Sequence, residues 1–210
     1  MNNSNGLQQS SVCWGPFLMR LKLSDDIIDS LKIRSSKVRG VKTLNVEDKL
    51  AAYFHDEWSF TNNDAAWFEN SIIPYVKAYQ DGLSKHIEGE CNYPWKLSGL
   101  WVNYQKENDF NPIHHHNGDL SFVTYLDVPE ELKTERERMK YKGTGALPGS
   151  IMFMYGESKP PLYDSRKFYM PENGDMFIFP SYLNHMVIPF RTPNIQRVSV
   201  AGNIIFNYDV

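Results

Sequence analysis

The sequence predicts a mainly β protein with flanking helices, an α+β chain whose core is a double-stranded β-helix, or jelly roll, preceded by a helical N-terminal third. Two observations carry this. Before Trp95 apolar residues recur mostly at helical spacing, whereas after it short runs rich in Val, Ile, Phe and Tyr alternate with turn residues. The length, 210 residues, suits one domain able to bury a core without disulfides or a structural metal. The expected organisation is a disordered tail over 1–12 and a single domain over 13–210, with helical support over 13–95 and the β core over 96–210.

Taken in order, the tail is rich in Asn, Gln and Ser and carries no visible chemistry. From Trp14 the segment GPFLMRLKL alternates apolar and polar as a strand does. Ser24 then stands as N-cap before a helix whose first turn is acidic. Helical spacing is also read over 46–55 and over 64–86, the latter through Trp67, Ile72, Val76, Tyr79 and Leu83, with Pro74 as a kink. Strands are expected at 97–105, 120–128, 150–155, 175–179, 185–189 and 197–207, with 130–148 a charged, Gly-containing excursion between two of them.

Charge and composition exclude several classes of partner. Lys and Arg number 22 against 25 Asp and Glu, a net charge of -3 without a basic block, so neither nucleic-acid backbones nor anionic membrane surfaces are predicted partners. Cys13 and Cys91 lie far apart and in no metal-ligand spacing, as in a reducing compartment. The polar start MNNSNGLQQSS lacks the regions of a signal peptide, and no run approaches the ~20 apolar residues of a membrane span. A cytoplasmic protein is the expectation.

The chemistry concentrates in the β part. His114, His115 and His116 are consecutive, and on an extended strand side chains two apart share a face. His114 and His116 can therefore grip one ion while His115 points away. His185 follows a second apolar strand that stops at Pro180. Beyond it Arg197 and Ser199 again share a face, a planar fork and an added donor suited to a carboxylate. Asp119 competes with His116 as third ligand, because the Asn117-Gly118 turn can break the alternation and swing it inward; its other reading is a cap for that turn.

The order His114-x-His116, Ser121-x-x-x-Tyr125-Leu126, Gly174-Asp175-x-x-x-Phe179-Pro180, His185-x-x-x-Pro189 and Arg197-x-Ser199 resembles the 2-oxoglutarate/iron oxygenases over residues 97–207, particularly the small bacterial and phage branch related to prolyl hydroxylases. The resemblance implies His114 and His185 as iron ligands, with His116 where most of the superfamily has Asp or Glu. It implies Arg197 on the distal carboxylate of 2-oxoglutarate with Ser199 beside it. Tyr104 and Tyr125 match tyrosines placed against the same cosubstrate, or else pack in the core with satisfied hydroxyls. Asn203 matches an Asn of this branch that either belongs to the site or bonds a backbone group.

Fe(II), 2-oxoglutarate and O2 are the implied cofactors, for a hydroxylase releasing succinate and carbon dioxide. A phage-encoded version would act in the host cytoplasm. The expected partners are a peptide or small-molecule substrate and, as a homodimer, a second copy of the chain. Two alternatives stand beside this reading: a three-histidine cupin-type dioxygenase that does not use 2-oxoglutarate, and a non-catalytic metal-binding jelly roll. The segments 130–142 and 155–166 are candidate substrate-facing loops.

Overall fold

The computed structural model describes residues 15–50, 53–54, 56–138, 147–159 and 164–209. Its elements run β1 (Met19–Lys22), α1 (Asp25–Val38), β2 (Glu57–Ser59), α2 (Asn62–Ser71), α3 (Ile73–His86), β3 (Trp95–Gln105), β4 (Asn111–His114) and β5 (Leu120–Asp127). They continue with α4 (Glu131–Arg138), β6 (Ile151–Met154), β7 (Arg166–Tyr169), β8 (Asp175–Pro180), β9 (Asn184–Val187) and β10 (Arg197–Phe206). The strands form two sheets, ordered β1-β8-β5-β10-β3-β2 and β4-β9-β6-β7, in which the paired strands run antiparallel. This is the expected jelly roll with its helical prelude.

Strand alternation sorts the large sheet into two faces. On β10, Val198, Val200, Ile204 and Phe206 pack with the helices, among Leu31 and Val38 of α1, Phe68 of α2, and Val76 and Tyr79 of α3. Arg197, Ser199 and Ala201 face the other way, into a cavity bounded by the small sheet. A second apolar cluster of Tyr125, Ile151, Phe153, Phe177, Phe179 and Leu183 joins the two sheets. The helical prelude thus seals one face, leaving the other for chemistry.

The six predicted strands are present as β3, β5, β6, β8, β9 and β10. The departures lie in the first third and the loops. No α-helix forms over the described part of 46–55; a short 3₁₀ turn at Glu47–Lys49 stands there instead. Val46 N–H donates to the Glu57 carbonyl and Tyr53 N–H to that of Phe110, so pairing with the sheet overrides the local spacing. The helix expected over 64–86 is two helices meeting at Ile72, with Pro74 in the first turn of α3, where its missing N–H costs nothing.

Ser24 occupies the N-cap of α1 without a side-chain cap bond, whereas Thr61 caps α2 through Asp64 N–H at 3.2 Å. The charged excursion contains α4, which buries Leu132, and the loop after β6 ends in the unpredicted β7. The tail, Cys13, His55 and parts of both candidate loops, 139–142 and 160–163, lie outside the described residues. Cys91 is buried and free. Among the described residues no helix is long and apolar enough to cross a membrane.

Gly202 shows how closely the large sheet is packed. A Cβ there would lie 2.5 Å from the Gly99 carbonyl oxygen of β3 and 2.5 Å from the Phe122 ring of β5. Gly202→Ala is therefore expected to lower the unfolding free energy by about 1–3 kcal/mol, the usual cost of overpacking. Urea denaturation checks this, and an unchanged midpoint would contradict it.

Candidate active site

Three imidazoles converge at one end of the inter-sheet cavity. His114 at the end of β4 is the register partner of His185 on β9. His116, two residues on, has its backbone tied by an N–H bond to the Ser181 carbonyl at 2.9 Å. One potential ligand atom from each histidine lies within 4.8 Å of the others. Their ring centroids are separated by 4.2 Å (His114 to His185), 4.9 Å (His114 to His116) and 5.1 Å (His116 to His185). His115 is exposed and takes no part, as period-two alternation requires.

Tautomers are set from behind. His114 Nδ1 lies 2.7 Å from the Pro112 carbonyl and His185 Nδ1 lies 2.9 Å from that of Leu183. A carbonyl only accepts, so Nδ1 carries the proton in both rings and Nε2 keeps its lone pair, the arrangement used by metal-ligating histidines. Burial, reinforced by the neighbouring rings, pushes His116 down to about 4 and His185 to about 3, and burial also lowers His114. Near neutral pH the cluster is uncharged and able to ligate. Three neutral imidazoles suit a first-row divalent ion.

Asp119 is turned elsewhere. Its carboxylate accepts the Phe206 N–H at 2.7 Å and the Tyr208 hydroxyl, tying down the end of β10. It is absent from the ligand cluster. The competing third ligand of the sequence reading is thus engaged as a structural acceptor, because the turn after His116 directs it toward the C-terminal strand.

Arg197 lies across the cavity, fully buried at the start of β10. One terminal nitrogen donates to the Gly149 carbonyl at 2.6 Å, while the solvent-sealed Nε has no partner among the described residues. Its guanidinium carbon sits 5.1 Å from the Tyr125 ring centroid. No carboxylate among the described residues pairs with it, and burial pulls its pKa below the usual value. Tyr125 is likewise buried, its hydroxyl unpartnered and its pKa pushed up to about 12, with burial the largest cause. Ser199 lines the same wall. A cationic fork, a hydroxyl aimed inward and a serine together make a receptor for a carboxylate.

Two expected cosubstrate residues are placed outside that receptor. Tyr104 lies on the helix-facing side of β3, in the core and beneath the Arg39 guanidinium at 3.9 Å from its ring centroid. Alternation on β3 sends Asn103 into the cavity and Tyr104 away from it. Asn203 shares the Arg197 face but accepts the Ser121 hydroxyl at 2.8 Å and does not line the cavity.

Sequence reasoning missed Glu57, Asn103 and Asn111, which line the cavity and each hold a buried oxygen without a partner. Asn103 was readable from the alternation that puts it on one face with Trp101. Nothing local marks Glu57, which reaches the site through pairing of β2 with β3.

The orphaned Arg197 Nε and Tyr125 hydroxyl, facing a neutral three-imidazole cluster, fit a divalent metal together with a dicarboxylate. Comparison with known proteins agrees. A family model described as "Putative 2OG-Fe(II) oxygenase" matches residues 99–203, half of the chain.

Among solved structures the chain resembles a Pseudomonas putida prolyl-4-hydroxylase (TM-score 0.60, 12% identity, covering 90% of this chain and 92% of that one). It also resembles a viral collagen prolyl hydroxylase from Paramecium bursaria Chlorella virus-1, solved as a 2OG complex (TM-score 0.54, 14% identity, 92% and 98% covered). A third is HygX from Streptomyces hygroscopicus with nickel, 2-oxoglutarate and hygromycin B bound (TM-score 0.57, 11% identity, 91% and 83% covered). At these identities the likeness shows the fold. No curated protein sequence matches.

The two candidate third ligands separate by mutation. His116→Ala should weaken Fe(II) binding by more than about tenfold in anaerobic competition titrations, whereas Asp119→Ala should leave iron affinity unchanged and lower stability by about 1–3 kcal/mol. Loss of iron on Asp119→Ala alone would reverse the assignment.

Proposed function

This chain belongs to the 2OG-Fe(II) oxygenase family, and from that premise we propose that it hydroxylates a C–H bond of a peptide or small-molecule substrate at an iron held by His114, His116 and His185. The observation that carries the reading is Arg197, a buried guanidinium with a sealed, unpartnered Nε opposite a neutral histidine cluster. Bound iron and 2-oxoglutarate supply activation of dioxygen, coupling decarboxylation of the cosubstrate to succinate with oxidation of the C–H bond.

The chain's own residues bind, orient and exclude water. His114 and His185 present Nε2 because their Nδ1 protons are held by Pro112 and Leu183. A three-histidine face leaves as many open positions as the commoner two-histidine, one-carboxylate face. It is also one unit more positive, which strengthens its hold on anions. Arg197 receives the distal carboxylate of 2-oxoglutarate, with the Tyr125 and Ser199 hydroxyls as further donors. Phe179, whose ring centroid lies 4.9 Å from that of His185, forms part of the dry wall beside the metal site. No side chain is required as a general base.

A three-histidine dioxygenase working without 2-oxoglutarate would share the metal site but has no use for a buried guanidinium. The same residue counts against a purely structural metal site. A cytosolic place of action accompanies the proposal, since ferrous iron and 2-oxoglutarate are cytosolic reagents.

Anaerobic addition of Fe(II) and 2-oxoglutarate should produce a weak metal-to-ligand charge-transfer band, and aerobic incubation should release succinate. His185→Ala should abolish the band. Arg197→Ala should raise the 2-oxoglutarate concentration needed for it by about tenfold or more, and Tyr125→Phe by less. Absence of both band and succinate from the unmodified protein would sink the proposal.

A further inference from the structure

The same cavity carries polar side chains beyond those assigned to the metal and the cosubstrate. Along one cross-strand row of the large sheet, Glu57 on β2 pairs with Asn103 on β3, Asn103 with Ser199 on β10, and Ser199 with Tyr125 on β5. At about 4.8 Å per strand this row spans ~14 Å, from the cosubstrate end at Tyr125 to Glu57 near the sheet edge. Glu57 is 1% exposed, lines the cavity, and its Oε2 has no hydrogen-bond partner among the described residues. Beside it the Asn103 side-chain oxygen is unpartnered, as is that of Asn111 on the facing strand β4.

We propose that Glu57, with Asn103 and Asn111, is the recognition pole for the primary substrate, and that the substrate presents there an organic cation with N–H donors, a protonated amine or a guanidinium. The inference rests on the oxygenase reading above and gives its substrate a chemical class.

Three observations favour a cation. First, a buried carboxyl whose Oε2 is sealed from solvent and lacks a hydrogen bond among the described residues is costly, and an N–H cation satisfies it best. Second, the carboxylates of Glu47 and Asp109 both act on Glu57, so its surroundings are anionic and favour a cation. Third, burial, aided by those two carboxylates, raises the Glu57 pKa to about 8. Near neutral pH the unliganded carboxyl is thus mainly protonated, and an arriving cation favours the ionised state. Glu57 is also no rival ligand, being absent from the cluster formed by the three histidines.

The test is calorimetric and reads binding. Nα-acetyl-lysine methylamide, Nα-acetyl-arginine methylamide and the uncharged Nα-acetyl-norleucine methylamide are titrated into the full chain, metal-free and loaded anaerobically with Fe(II) and 2-oxoglutarate. At least one charged probe should bind about tenfold or more tightly than the norleucine probe, and Glu57→Gln should remove that preference while leaving norleucine binding unchanged.

Equal binding of charged and uncharged probes, preference for the uncharged one, or a preference that survives Glu57→Gln would each overturn the proposal. The comparison among probes on the unmodified protein decides the matter even if the variant fails to fold. A missing charge-transfer band in the unmodified protein would strike the oxygenase reading, whereas charge discrimination by the metal-free chain is read independently of that band.

Discussion

A guanidinium buried between two sheets, with no anion beside it among the described residues, is the constraint around which this molecule is organised. Taking a charge out of water costs several kcal/mol unless a partner repays it. Arg197 has one carbonyl and the face of a tyrosine ring, with Nε left bare. Such a group is tolerable only in a frame that fixes its neighbours. β10 supplies the frame, lying between β5 and β3 and packing its opposite face on the helices. The unusual density at Gly202 belongs to the same strand, and α1, α2 and α3 cover its back. A ligand carboxylate is the missing half of the arrangement.

The metal end rests on a different economy of means, the register of two short strands. Pairing His114 with His185 brings two rings together from distant parts of the chain, and the two-residue spacing adds a third. Backbone carbonyls behind two of the rings choose the tautomer, and burial keeps all three neutral. With no ligating carboxylate, negative charge must come from what binds, which matches the cationic receptor across the cavity. Glu57, a carboxyl that also lines the cavity, sits on the edge strand β2 and makes no ion pair with Arg197 among the described residues.

Much of this was legible in the sequence because it depends on local periodicity. The six core strands, the shared face of His114 and His116 and that of Arg197 and Ser199 all follow from alternation. What failed depends on long-range pairing. Residues 46–55 have helical spacing, yet Val46 bonds the edge of the large sheet. Tyr104 takes the core-packing alternative, because strand parity gives the cavity to Asn103. Asn203 has the right parity and is captured by Ser121. Glu57 could not be found without knowing that β2 pairs with β3, since no local pattern distinguishes it from a solvated acid.

The central claim, that Arg197 is held unpaired for a dicarboxylate cosubstrate, is tested most directly by comparing the denaturant stability of the unmodified chain and Arg197→Met with and without 2-oxoglutarate and an inert divalent metal. Without ligand the variant should be at least as stable as the unmodified chain, because an apolar side chain replaces an uncompensated buried charge. The stabilisation by 2-oxoglutarate seen in the unmodified chain should vanish. A variant that is destabilised without ligand yet still stabilised by 2-oxoglutarate would contradict the account.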